Sequence, residues 1–191
     1  MAAARRFGPR DSATSTAILD ATERVLRTKG YAAATSRNVA EEAGIRQGLV
    51  YYYFQTMDDL LLATFKRRTA QGLERLAEQV ASERSVHAIW QDLSQKVDAK
   101  VVFEFVALSN HHEGIRDEAR HFLRESRRLQ TAAIQSASDA KGVELEPANA
   151  SALAFILYAG TLILARESSI GVTEAHADVN ALFQKIVDRL D

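Results

Sequence analysis

Apolar residues recur along this chain at three- and four-residue intervals, the spacing of one face of an α-helix. No run alternates Val, Ile and Thr with polar residues as a half-buried strand would. The pattern predicts an all-α protein. A first helix is expected over residues 12–29, with Ile18, Ala21, Thr22, Val25 and Leu26 on one face and Gly30 as its stop signal. Two short helices follow over 36–43 and 47–53, separated by Gly44-Ile45-Arg46. Thr56 with Asp59 three residues on forms a capping-box pattern, opening a fourth helix that continues to about Ala81. Residues 86–110 predict one or two helices broken around 98–100, and residues 115–141 a long amphipathic helix stopped by Gly142. Pro147 opens the next helix, where its missing N–H does no harm. A last helix over 173–190 carries Val179, Leu182, Phe183, Ile186 and Leu190 on one stripe.

The chain has 191 residues, 47% of them hydrophobic, enough for one sizeable core or for a small module joined to a larger body. It contains no cysteine, which excludes disulfides and thiolate metal sites. Arginines near the start are not followed by an apolar run, so no secretory signal is expected and the cytoplasm is the expected address. The net charge of −1 conceals an asymmetry. Residues 1–70 hold 11 Lys/Arg against 7 Asp/Glu, and the remainder 13 against 18. A basic module on an acidic body is one way to meet nucleic acid, although solvated helix faces produce differences of this size. The expected domains are a small module over 1–56 and a larger helical body over 57–191.

From Thr35 to Phe54 the sequence TSRNVAEEAGIRQGLVYYYF has the spacing of a helix-turn-helix. Val39, Ala40 and Ala43 are placed inward on its first helix, Gly44 permits a turn that a side chain would obstruct, and Ile45 plugs the junction. Val50, Tyr53 and Phe54 of the second helix face the core. Gln47, Gly48, Tyr51 and Tyr52 then form one exposed stripe. A helix entering the major groove, about 12 Å wide, must offer partners for base edges. Gln47 pairs with adenine, Gly48 admits close backbone approach, and Tyr51 and Tyr52 offer hydroxyls to phosphates and rings to thymine methyl groups. Arg37 and Arg46 are expected on phosphates. Arg5 and Arg6, with Arg10, form a basic arm expected either to enter the minor groove or rest on phosphates, or to be a tail with no fixed role.

The stretch from Ala32 to Leu62 resembles the DNA-binding domain of the tetracycline-repressor (TetR) family, above all in AEEAGIRQGLVYYYFQTMDDLL. The resemblance covers the first third of the chain. It implies a homodimer whose paired modules occupy successive major grooves of a near-palindromic operator, as a repressor released by a ligand. Three positions depart from the family pattern. Arg46 stands where Ser or Thr commonly caps the recognition helix, Leu49 replaces a frequent Thr, and Met57 a frequent Lys.

Residues 150–165, ASALAFILYAGTLILA, are apolar on nearly every side. This run is short of the roughly 20 residues a membrane span needs, so no membrane partner is expected. One face is expected to pack on its own domain. The other should meet a second subunit, with Ala159 and Gly160 allowing close approach and the last helix completing a four-helix interface. An apolar effector pocket is expected among the helices bearing Trp90, Phe103, Phe122 and Tyr158, with His111, His112 and Arg124 at its rim. The segment 101–114 is the expected lever on the fourth helix. His111, His112 and His121 lack the spacing of a ligand set, so no metal and no cofactor are expected. No phosphate-binding loop or nucleophile–base set can be assembled, so a catalytic role has no positive support. A small all-α enzyme or a structural bundle is the alternative class, and either leaves the Gln47 and Tyr52 stripe without purpose.

Overall fold

The computed structural model describes residues 12–190, which form nine α-helices and one 3-10 turn. The helices are α1 (Ala13–Lys29), α2 (Ser36–Glu42), α3 (Gln47–Tyr53), α4 (Met57–Val80), α5 (Ser85–Lys96), α6 (Ala99–Ser109), α7 (Glu113–Ala140), α8 (Pro147–Ser168) and α9 (His176–Leu190). The residues group into two units. Among the described residues, one holds 12–68 together with Phe103–Glu118, the other Thr69–Val102 together with 119–190.

Local chemistry explains the boundaries in the first unit. Ser12 caps α1 by accepting from the Ser15 N–H at 3.2 Å, and Gly30 ends it at φ 74°. Thr56 and Asp59 form the expected reciprocal box, the Asp59 N–H donating to Thr56 Oγ1 at 3.0 Å and the Thr56 N–H to Asp59 Oδ2 at 3.2 Å. Ile18, Val25, Val39, Val50, Phe54 and Leu60 are fully buried, each stabilising the fold by about 1.5–3 kcal/mol. Arg67 of α4 meets Asp20 at 2.7 Å and Glu23 at 3.2 Å on α1, while Arg24 of α1 meets Glu42 of α2 at 2.8 Å. Phe65 stacks on Phe105 with ring centroids 4.4 Å apart, and Gly114 lies against Leu62.

The second unit has a core of Val86, Trp90, Ile134, Ala150, Ala154, Leu157, Phe183, Val187 and Leu190. The Trp90 ring meets Phe183 edge-on at 5.4 Å, and its Nε1–H donates to Gln184 Oε1 at 3.2 Å, which satisfies the one polar atom that burial of an indole strands. Three expectations change here. The last helix starts at His176 rather than near Thr173, because His176 reaches back to Glu167 at 2.9 Å and Ala175 takes φ 62°. α8 runs 22 residues, so by length and composition alone it is long enough to cross a membrane, against the expectation drawn from its shorter apolar run. Its buried face of Ala150, Ala154, Leu157 and Thr161 packs within the unit. Gly160, expected to let a second subunit approach, is instead filled by the chain's own Phe183, whose ring a Cβ at Gly160 would overlap. Gly160→Ala should therefore destabilise the second unit by about 1–3 kcal/mol through overpacking, read as a lowered urea midpoint. An unchanged midpoint would show that Phe183 can move aside at no cost.

Candidate nucleic-acid interface

α2 and α3 are each seven residues long, too short to persist alone, so packing must hold them. Thr35 caps α2 by accepting from the Asn38 N–H at 3.2 Å. At its other end Gly44 has φ 66°, its N–H donates to the Glu41 carbonyl at 3.1 Å, and the Ile45 N–H donates to the Ala40 carbonyl at 2.9 Å. That pair of bonds is a Schellman ending. A Cβ at Gly44 would meet nothing within 4 Å, so the residue is required by its left-handed backbone rather than by a side chain's obstruction, which corrects the sequence-based reason. Arg46 precedes α3 in an extended conformation and gives no side-chain cap, as its departure from Ser or Thr predicts.

Val50 and Phe54 are buried and Tyr53 is half-buried, which turns the opposite side of α3 outward. Gln47, Gly48, Tyr51 and Tyr52 are all exposed, the two tyrosines at 47% and 44%. Leu49 is exposed beside them at 39%. A Cβ at Gly48 would meet nothing within 4 Å, so the backbone there is open to a close partner. Tyr52 packs edge-on against Tyr53 at 5.2 Å, which limits where its hydroxyl can swing. Arg37 and Arg46 are exposed on the same pair of helices. Arg5 and Arg6 lie outside the described residues.

One residue of this surface escaped the sequence reading. Ser36, at 6% exposure, receives the Gln47 Nε2–H at 2.8 Å and lies 3.0 Å from the Tyr51 hydroxyl. Its signal was present: Ser36, Val39 and Ala40 stand at i, i+3 and i+4, so a polar residue occupies the inner stripe of α2. A buried hydroxyl at such a position needs partners.

The residues expected around an effector are divided between the units. Phe103 and His111 belong to the first unit, and Trp90, Phe122 and Tyr158 to the second. Within the second unit a cavity of about 20 Å³ is lined by Val86, Ile89, Trp90, Leu93, Gln130 and Leu157, among others. That is room for about one water. Trp90 lines it, whereas the Phe122 ring lies against Gly72. Burial pushes the Tyr158 phenol above its usual pKa, with the Arg127 charge acting in the opposite direction. His112 is occupied differently from its expected rim role: its Nδ1 accepts from the Ile115 N–H at 3.2 Å and so caps α7. Among the described residues no cluster of His, Asp and Glu has the arrangement of a metal site.

Comparison with known proteins agrees with this geometry. Residues 18–64 match the model of the family described as bacterial regulatory proteins, tetR family. The fatty acid metabolism regulator protein of Bacillus subtilis is 33% identical over 63 residues, which are 33% of this chain and 32% of that protein. The chain thus matches about a third of the length of such curated relatives. Among solved structures, a TetR transcription regulator from Haloarcula marismortui aligns with a TM-score of 0.72 at 23% identity, covering 92% of this chain and 96% of that one. The transcriptional regulator FadR from Bacillus subtilis, solved in complex with stearoyl-CoA, aligns with a TM-score of 0.59 at 17% identity over 92% of this chain and 97% of that one. At these identities the structural matches establish the fold, and the sequence match establishes the amino-terminal domain. Residues 18–64, with the capped α2, the Gly44 turn and the outward face of α3, thus carry an amino-terminal domain that matches the tetR family of bacterial regulatory proteins.

Proposed function

We propose that this chain is a cytoplasmic, ligand-responsive transcriptional repressor that binds a near-palindromic operator as a homodimer. The observation that carries the reading is α3, whose buried Val50 and Phe54 leave Gln47, Gly48, Tyr51 and Tyr52 outward with Arg46 at its start. That is the donor and acceptor set a groove-reading helix needs, flanked by charge for the phosphates. Neither a catalytic nor a purely structural role gives this face a use.

Dimerisation is supported by the second unit. Phe155, Ile156 and Ile163 of α8 are 56%, 53% and 49% exposed, and Leu182 of α9 is 55% exposed. Paired recognition helices about 34–36 Å apart, or a multiple, reach equivalent grooves. The interface we propose uses this uncovered face, with Gly160 and Phe183 as internal supports.

The effector we propose is mostly apolar, in keeping with the lining of the small cavity beside Trp90. FadR binding stearoyl-CoA makes long acyl chains a reasonable class to try. Such a ligand must open that cavity by repacking, since about 20 Å³ cannot hold it. A tenfold loss of operator affinity requires about 1.4 kcal/mol of preference for the released state. The lever is the segment Phe103–Glu118, which presses on α4 through Phe105 on Phe65 and Gly114 on Leu62.

Three measurements test these parts. A randomised duplex library should yield an enriched site, for which Gln47→Ala costs about 1–3 kcal/mol and relaxes one base, while Arg46→Ala weakens all sequences alike and lowers the salt slope by about 1. No enrichment over random DNA would end the regulator reading. In sedimentation the wild type should be a dimer, and Phe155→Glu with Ile163→Glu a folded monomer of poor operator affinity. A wild-type monomer at micromolar concentration refutes the interface. Long-chain fatty acids or their CoA thioesters should raise the melting temperature and release DNA. Failure of the whole series on both readouts removes this effector class.

A further inference from the structure

From the contacts around Ser36 we infer that this buried residue is the positioning residue that sets the base selectivity of α3. The inference rests on the DNA-binding reading above and adds to it the origin of its sequence preference.

Gln47 and Tyr51 stand one helical turn apart on the exposed face of α3, and each has a flexible polar end. Left to themselves, both ends would sample several rotamers, and ordering them on DNA would cost affinity. The structure holds them from one side. Gln47 Nε2 donates to Ser36 Oγ at 2.8 Å, and Tyr51 Oη lies 3.0 Å from the same oxygen. Ser36 cannot move away, because it opens the inner stripe of α2 ahead of buried Val39 and Ala40 and is itself 6% exposed.

The hydrogen-bonding inventory then fixes what the two side chains can offer outward. The Gln47 amide has used one N–H, so one N–H and its carbonyl oxygen remain, the adjacent donor and acceptor that the major-groove edge of adenine matches. With the Nε2 end of the amide on Ser36, the order in which donor and acceptor are presented outward is set. Ser36 Oγ, having accepted from Gln47, has its own proton to give to Tyr51 Oη. In that direction the Tyr51 hydroxyl keeps its proton for an acceptor in solvent, such as a phosphate oxygen. One buried hydroxyl thus orients both groups, and the exposed face of α3 is set before DNA arrives.

The test uses the full-length protein and the site it enriches from a randomised duplex library. Affinity is measured for that site, for the same site with single-base changes, and for random duplex across a salt series. Ser36→Ala should reduce the ratio of specific to random affinity about tenfold, or about 1.4 kcal/mol, with the affinity for random duplex and its salt slope unchanged. Tyr51→Phe, which removes only the hydroxyl, should weaken specific and random duplex alike and leave the ratio unchanged, since that hydroxyl is placed for a phosphate oxygen. Ser36→Ala combined with Gln47→Ala should be no less selective than Gln47→Ala alone, since the serine acts through the amide. Ser36→Thr, which restores a hydroxyl, should recover selectivity in any preparation whose melting temperature matches the wild type. The inference is overturned if Ser36→Ala leaves the ratio within about twofold, if it lowers specific and random binding equally, or if its effect adds fully to that of Gln47→Ala. A wild type that enriches no sequence would instead overturn the DNA-binding reading on which the inference stands.

Discussion

Burial of Val50 and Phe54 is the constraint on which the recognition surface depends. A helix of seven residues has too few internal hydrogen bonds to repay the entropy of its own nucleation, so α3 exists because its inner side is packed. The same packing decides its rotation about its axis. Turn α3 by one residue and Tyr51 and Tyr52 trade places with the core positions, which the full burial of Phe54 forbids. The Schellman ending of α2 at Gly44 and Ile45 fixes the path between the two helices, so the angle at which α3 is offered follows from backbone chemistry.

The outer face inherits its order from that frame. Ser36 is held under the surface by the packing of α2, and it restrains Gln47 and Tyr51 from below. The outer face of α3 therefore combines a packed base with exposed polar ends. Ion pairs from Arg67 and Arg24 join α1 to α4 and α2, but pairs near solvent contribute little to stability. Their value is in register, since they specify which turn of one helix faces which turn of the next.

In the second unit a comparable economy governs α8. Its apolar residues cover nearly the whole circumference, yet only the side of Ala150, Ala154, Leu157 and Thr161 is buried within the chain. Phe183 enters the space that Gly160 leaves and meets Trp90 edge-on, closing that side of the core. The remaining face, with Phe155, Ile156 and Ile163, is more apolar than solvent-facing helices tolerate.

Periodicity alone determined the all-α fold, and end signals such as Thr56 with Asp59, Gly30 and Pro147 placed the helix boundaries within a few residues, because caps and prolines act through neighbours close in sequence. The exposed stripe of α3 was legible for the same reason. Tertiary structure alone decided the rest. That Gly160 receives Phe183 and that Ser36 joins Gln47 to Tyr51 are meetings between residues apart along the chain, and the same packing puts Phe103 and Trp90 in different units. A stripe of residues says which face is buried but not which partner covers it, and a partner is chosen only when helices pack.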